Sequence, residues 1–146
     1  MNVRTLTPFI LLLAAACSEN DRDISAQIQA QFDASRTAPI DLSLVGPPSC
    51  ERVCVLPPYT LNDQAKEILG FEWNSNHKTS IGGDDGINVL AFVQGTNVVA
   101  FTEYRRDKGD FSSMNPKCLA KGNAIVFRQV APEPSSNGWV YLVAKP

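Results

Sequence analysis

The chain has 146 residues, of which 44% are hydrophobic and 19% charged, a composition typical of one globular domain rather than a disordered chain. Its net charge is −2, and because residues 1–16 hold one Arg and no acid, the remainder carries 12 basic and 15 acidic residues, or −3. Nucleic-acid binding needs clustered Lys and Arg to displace counterions. The one basic cluster, at Arg105, Arg106 and Lys108, is short and interrupted by Asp107. A nucleic-acid partner is therefore not expected.

The N-terminus has the three parts of a secretory signal. Arg4 is its only charged residue, Leu6–Leu13 is mostly apolar, and Ala14–Ala16 provides small residues for cleavage. The apolar stretch is too short to span a bilayer, which takes about 20 residues. We therefore expect residues 1–16 to be a signal peptide that exports the rest of the chain.

The segment Leu13-Ala14-Ala15-Ala16-Cys17 resembles the lipobox of bacterial membrane lipoproteins. The resemblance implies that the Cys17 thiol receives a diacylglyceryl group and that cleavage makes Cys17 the first residue. Two acyl chains give stable membrane anchoring, whereas one is marginal. Ser18, where this family uses Asp for inner-membrane retention, implies the periplasmic face of the outer membrane. The alternatives are ordinary secretion by cleavage at the same alanines and an uncleaved segment.

Residues 17–23 are predicted to be the lipidated N-terminus and a polar tether, followed by a single domain over 24–146. Ile24, Ile28 and Phe32 recur every four residues, which favours an amphipathic helix. The alternation of the same residues leaves a strand as the alternative. The helix would be capped by Asp21 or Asp23.

Two short strands and a second helix are predicted next. Ile40, Leu42 and Leu44 alternate and predict an edge strand, and Val53–Leu56 forms a second apolar run ended by prolines.

The second helix would begin at Thr60, with Asp63 reaching back to cap it, and end at Gly70 in the left-handed conformation. Residues 71–86 are predicted to be mostly loop. The apolar stripe of this helix comprises Leu61, Ala65, Ile68 and Leu69.

The strongest β signal lies in Ile87–Gln94 and Val98–Arg105, two apolar runs that flank Gly95-Thr96-Asn97. A two-residue type II′ turn at Gly95-Thr96 is predicted, with a three-residue turn as the alternative. Both faces of this hairpin are apolar, so we expect it to be central and covered on both sides. The predicted pairs are Phe92 with Val99, Leu90 with Phe101, Val93 with Val98, and Ala91 with Ala100.

Residues 107–123 are predicted to be a long polar loop, followed by strands over Ala124–Val130 and Trp139–Ala144. The predicted fold is therefore α+β, with a mostly antiparallel sheet of four to six strands and one or two packed helices.

Three cysteines remain besides Cys17, and two of them should pair in an oxidising compartment. We favour Cys54–Cys118, since Cys54 lies in an apolar run and Cys118 in a long loop that needs a tie. Closing a loop of about 65 residues stabilises by roughly 4 kcal/mol in the chain-entropy treatment. Pairings that use Cys50, a free reactive thiol, and a metal site are the alternatives.

Few residues form a pattern typical of catalysis. His77 is the single His and lies in a polar segment without a nucleophile motif, so we expect an exposed loop side chain. Residues 82–86 hold Asp84 and Asp85 among glycines, which permits a calcium site but favours a plain turn. No cofactor, metal or catalytic set is predicted.

A partner-binding loop is predicted at Arg105, Arg106, Lys108 and Phe111, because Arg and aromatic side chains are enriched at binding hot spots. A solvated loop with internal ion pairs is the alternative. If the loop is a surface, replacing Arg106 and Phe111 together with Ala should leave stability nearly unchanged. The two tryptophans, Trp73 and Trp139, are predicted to be buried or half-buried.

These features favour a non-catalytic, lipid-anchored protein-binding module of the inhibitor or immunity type, with a protein partner in the cell envelope. The alternative is a structural subunit of an outer-membrane assembly complex. Residues 60–70, from Thr60-Leu61-Asn62-Asp63-Gln64 to Leu69-Gly70, resemble over about eleven positions the helix of the small lipoprotein in the β-barrel assembly complex. An enzyme and a small-ligand carrier are the remaining possibilities.

Overall fold

The computed structural model describes residues 19–129 and 138–145. The predicted signal peptide, Cys17 and residues 130–137 lie outside the described residues. The fold is α+β, with two antiparallel sheets and three helices. In chain order the elements are α1 (Arg22–Ala34), β1 (Ile40–Asp41), β2 (Arg52–Leu56), α2 (Asn62–Leu69), α3 (Ser75–Lys78), β3 (Ile87–Gln94), β4 (Asn97–Arg105), β5 (Cys118–Ala120), β6 (Ile125–Gln129) and β7 (Tyr141–Ala144).

The strands divide into two sheets rather than the single sheet predicted. The larger sheet has the order β4-β3-β2-β5 and the smaller one the order β1-β6-β7. The smaller sheet joins strands far apart in the chain, with Ile40 opposite Val126 and Val126 opposite Ala144. No local pattern in the sequence could reveal that separation into two sheets.

The first helix is confirmed, and Asp21 is its cap. The Asp21 carboxylate accepts hydrogen bonds from the backbone N–H groups of Asp23 and Ile24 at 3.0 and 3.1 Å. Asn20 forms a parallel bridge with Phe101, and the Asp21 N–H donates to the Phe101 carbonyl at 2.8 Å. The folded domain thus already includes Asn20, four residues before the predicted boundary at Ile24.

The predicted edge strand over residues 40–44 is shorter than expected. β1 ends at Asp41, whose carboxylate accepts a hydrogen bond from the Ser43 N–H at 2.9 Å. That bond starts a 3₁₀ turn over Leu42–Leu44, and the turn leaves Leu44 74% exposed. The hydrogen bond to the Asp41 side chain thus ends the strand before the alternating residues Leu42 and Leu44.

The second helix forms as predicted, but its start differs. The Thr60 hydroxyl donates back to the Pro57 carbonyl at 2.5 Å, so it does not cap the helix. Leu61 takes the cap position, and the Gln64 side chain accepts from the Leu61 N–H at 2.9 Å. Gly70 ends the helix at φ 83°, as predicted. A short helix, α3, also forms within the segment predicted to be loop.

The hairpin of β3 and β4 has the predicted two-residue turn, with Gly95 at φ 56°. Val93 lies opposite Val98, as predicted. Beyond that pair a β-bulge shifts the register, because Val98 and Val99 together oppose Val93. The predicted partners Phe92–Val99, Leu90–Phe101 and Ala91–Ala100 are therefore wrong, and the observed pairs are Phe92–Ala100, Ala91–Phe101 and Leu90–Thr102.

The larger sheet is covered on both faces, as predicted for the β3–β4 hairpin, but the hairpin is not central, because β4 lies at the edge of the sheet. Alternate residues of β2 and β3 point to opposite sides. One face carries a core shared with α1 and the smaller sheet, whose members include Val53, Val55, Leu90 and Phe92. The other face carries a core shared with α2 and the following loop, whose members include Cys54, Leu56, Val89 and Ala91.

Candidate functional site

The predicted Cys54–Cys118 disulfide is confirmed, with an S–S distance of 2.01 Å. The two cysteines lie directly opposite each other on β2 and β5, so Cys118 belongs to a short strand and not to the predicted loop. Cys50 is free and buried, and its thiol donates to the Arg52 carbonyl at 3.0 Å. Burial raises the pKa of the Cys50 thiol, so it is not activated as a nucleophile.

The predicted partner-binding loop turns two of its four residues inward. Phe111 is 0% exposed, and its ring meets the Tyr104 ring edge-on at 5.5 Å. The Arg106 side chain is 18% exposed and lies over the Trp139 ring at 4.6 Å. The expectation that Arg106 and Phe111 form an exposed contact surface is therefore wrong.

Arg106 turns inward because Asp110 is a buried carboxylate that needs partners. Arg106 Nη2 donates to Asp110 Oδ2 at 2.8 Å, while the Asn88 side chain and the Ser112 N–H donate to Oδ1 at 3.2 and 2.9 Å. Burial alone would raise the pKa of Asp110, but these donors together hold it below its usual value. The Asp110 backbone also bonds to Val140 and Leu142, so the network joins the loop to β7.

Arg105 and Lys108 are the predicted partner-binding residues that remain near the surface. Arg105 is exposed and forms two hydrogen bonds of 2.9 Å to the Asp107 carboxylate, which hold its guanidinium against its own loop. Lys108 is half-buried, and its carbonyl accepts from the Tyr104 hydroxyl at 2.7 Å. Partner binding by Arg105 and Lys108 stays a prediction.

The other side chains considered for chemistry have ordinary surroundings. His77 is exposed on α3, and Asp84 accepts from the Gly86 N–H at 2.7 Å, as in a plain turn. Within residues 19–129 and 138–145, no group of three or more His, Cys, Asp or Glu side chains is arranged to hold a metal ion. Trp73 is buried against Phe101, and Trp139 is half-buried, as predicted.

A surface that the sequence analysis did not identify lies where β2 leads into α2. Tyr59 is 57% exposed and Leu61 is 55% exposed, which places two large apolar side chains on the surface two residues apart. We call this pair the Tyr59–Leu61 surface. Tyr59 has φ 62° and is the one non-glycine residue with positive φ in the described part of the chain. Such a backbone costs about 1–3 kcal/mol and persists only where surrounding contacts impose it.

Hydrogen bonds from residues on both sides of Tyr59 stabilise this positive-φ conformation. The Tyr59 N–H donates to the Ile81 carbonyl at 2.9 Å, and the Thr60 N–H and hydroxyl both donate to the Pro57 carbonyl. The side chain of Asn76 reaches the Thr60 carbonyl at 3.5 Å. These hydrogen bonds hold the backbone of the Tyr59–Leu61 surface in the observed conformation.

Exposed charges of both signs lie near this surface, since α2 follows Leu61 in the chain and Lys78 lies on α3, whose Asn76 contacts the Thr60 carbonyl. On the first turns of α2, Asp63 and Glu67 are exposed one helical turn apart. Lys66 forms a 2.9 Å ion pair with Glu72, which offsets that positive charge. The neighbourhood thus combines exposed apolar side chains with exposed charges of both signs.

Only local signals could have pointed to Tyr59 in the sequence. Two prolines precede it and a helix follows, which marks a tight turn, but neither indicates the direction of the side chain.

Nothing among the described helices is both long and apolar enough to cross a membrane. In comparisons with known proteins, the chain matches no family model, no curated protein and no solved structure.

Proposed function

We propose that this chain is a lipid-anchored, non-catalytic protein-binding module of the inhibitor or immunity type on the periplasmic face of the bacterial outer membrane. The lipobox-like segment ending at Cys17 supports the anchor and the location. The Cys54–Cys118 disulfide is in keeping with an oxidising compartment.

The Tyr59–Leu61 surface is the observation that carries the proposal. Exposed aromatic and aliphatic side chains on a rigid backbone bind with little loss of conformational entropy, which is what a protein-binding hot spot requires. Asp63, exposed two residues after Leu61, favours a partner that places a basic side chain next to an apolar pocket.

Site-specific photo-crosslinking in the native envelope tests this assignment. Benzoylphenylalanine placed at Tyr59 in the full-length chain should give one discrete adduct with another protein. The matched control is the same probe at Leu44, which is 74% exposed on a different element. If both positions crosslink to the same mixture of proteins, or neither crosslinks, the Tyr59–Leu61 surface is not a binding site.

The identity of the adduct separates the proposal from its alternative. A soluble or secreted protein in the adduct supports the inhibitor or immunity reading. A stable membrane complex in the adduct supports the structural subunit of an outer-membrane assembly. The Thr60–Gly70 segment favours that second candidate by its resemblance, and Leu61 lies within it.

The lipid anchor has a separate test. Cells grown with a fatty-acid analogue should label the protein, and Cys17→Ser should abolish the label and release the chain from the membrane fraction. Cys50→Ser is the control, because that thiol is buried and should have no part in anchoring. Recovery of the wild-type protein in a free, unlabelled form would exclude lipidation.

A further inference from the structure

A second concave region lies between the end of α1 and the hairpin of β6 and β7. Its volume is about 620 Å³, within the range of about 300–1,000 Å³ common for small-molecule sites. It lies apart from the Tyr59–Leu61 surface, with which it shares no lining residue. The lining consists of Phe32, Asp33, Arg36, Arg128, Gln129, Trp139 and Val140.

Arg128 fixes a positive charge in the wall of this cleft. Its Nη2 donates to the Phe32 carbonyl and, at 2.5 Å, to the Ser35 carbonyl, both at the C-terminal end of α1. Its guanidinium also lies over the Phe32 ring at 4.0 Å. Because α1 has no basic residue in its own last turn, Arg128 supplies the positive charge that this end of the helix dipole favours.

Among the described lining residues of the cleft, positive charges outnumber negative ones. Arg36 and Arg128 are its two cations, and Asp33 is the one acid among the described lining residues. The Asp33 carboxylate accepts a 3.3 Å hydrogen bond from Gln29, one turn earlier on the exposed side of the helix. Phe32 and Trp139 contribute flat apolar surfaces to the same space.

We propose that this cleft binds a small aromatic anion, such as an aromatic carboxylate or sulfonate. The aromatic part would contact the Phe32 and Trp139 side chains, and the anionic group would face Arg36 and Arg128. This inference is independent of the proposed protein-binding function, because the two regions lie on different elements.

The test compares two fluorescent probes that differ by one sulfonate group: anilinonaphthalene sulfonate, which carries it, and the uncharged phenylnaphthylamine, which does not. The folded protein should bind the sulfonate saturably with a Kd below about 1 mM. It should bind the uncharged parent at least about tenfold more weakly, a difference of about 1.4 kcal/mol. The sulfonate should also shift the NMR signal of the Trp139 indole N–H more than that of Trp73.

Charge variants locate the site. Arg36→Gln should weaken sulfonate binding by about threefold and Asp33→Asn should strengthen it by a similar factor, as expected for exposed charge interactions. Arg105→Gln is the matched control, because Arg105 is an exposed arginine outside the cleft, and it should leave binding unchanged. Equal binding of both probes, equal effects at Arg36 and Arg105, or the absence of saturable binding would each overturn the proposal.

Discussion

In two loops of this protein, the composition predicts the wrong exposure of the side chains. The segment from Arg105 to Phe111 is rich in charge, yet Arg106 and Phe111 turn inward onto Asp110 and Tyr104. The segment from Pro57 to Leu61 is mostly apolar, yet Tyr59 and Leu61 face solvent. The Arg105–Phe111 loop therefore packs into the fold, whereas the Pro57–Leu61 loop exposes its large apolar side chains.

The difference comes from the polar groups that each loop must satisfy. Asp110 is fully buried, and a buried carboxylate requires several donors, so the loop around it folds inward to supply them. The Pro57–Leu61 segment satisfies its backbone through Ile81 and its own Thr60, so its large side chains are not needed inside. The polar groups of each loop thus influence which of its side chains face solvent.

The largest expected effect is at Phe111. Replacing this buried ring with Ala removes its contacts and leaves a cavity, so Phe111→Ala should lower the free energy of unfolding by about 3–5 kcal/mol. Denaturant unfolding measures the loss. Leu44→Ala, on an exposed side chain, should change stability by no more than about 0.5 kcal/mol. If both variants behaved alike, the loop would not be anchored in the core.

An intermediate effect is expected at Asp110. Its folded pKa lies below the unfolded value of about 3.9, so the ionised carboxylate stabilises the fold above that pH and loses its contribution as pH falls through the folded pKa. Asp110→Asn weakens the bond with Arg106 and should cost about 2 kcal/mol at neutral pH.

The pH dependence of the stability difference between wild type and Asp110→Asn tests whether the charge of Asp110 is responsible. Thermal melts of wild type and Asp110→Asn should converge as the solution is acidified below about pH 3.9, because the unfolded wild-type chain then binds a proton that the folded carboxylate takes up only at lower pH. Asp107→Asn is the control, since Asp107 is exposed and pairs with the exposed Arg105. A stability difference that did not depend on pH would show that the Asp110 charge plays no part.

The smallest effect on stability is expected at the Tyr59–Leu61 surface. Asn accepts the left-handed conformation of residue 59 and is a good helix cap at residue 61. The double variant Tyr59→Asn with Leu61→Asn should therefore melt within about 0.5 kcal/mol of wild type, or above it. If this variant loses partner binding but keeps its stability, the Tyr59–Leu61 surface serves binding, whereas the Arg105–Phe111 loop stabilises the fold. Unfolding of this variant would place Tyr59 and Leu61 among the residues that hold the fold together.

Local signals predicted much of the fold. The four-residue recurrence of Ile24, Ile28 and Phe32 predicted α1, Gly70 predicted the end of α2, and the glycine at position 95 predicted a two-residue turn. The Cys54–Cys118 bond was also predicted, because an apolar run fixed one cysteine and a long connection held the other.

The remaining features depend on contacts between distant residues. The bulge at Val99 changes the register of the hairpin without any proline or glycine to indicate it. The separation into two sheets follows from the pairing of β1 with β6, more than eighty positions away in the chain. The direction of Phe111 depends on Tyr104 and the buried Asp110, and the exposure of Tyr59 depends on Ile81.

The bridge between Asn20 and Phe101 sets a geometric limit on an anchored form of the protein. Asn20 is three residues after Cys17, and three residues of fully extended chain reach at most about 11 Å. If Cys17 carries the lipid, that distance sets an upper limit on how far Asn20, and the outer edge of β4 beside it, can lie from the bilayer surface. Capture would then be confined to proteins moving within a thin layer beside the membrane, and the reach of the domain into the periplasm would be little more than its own diameter.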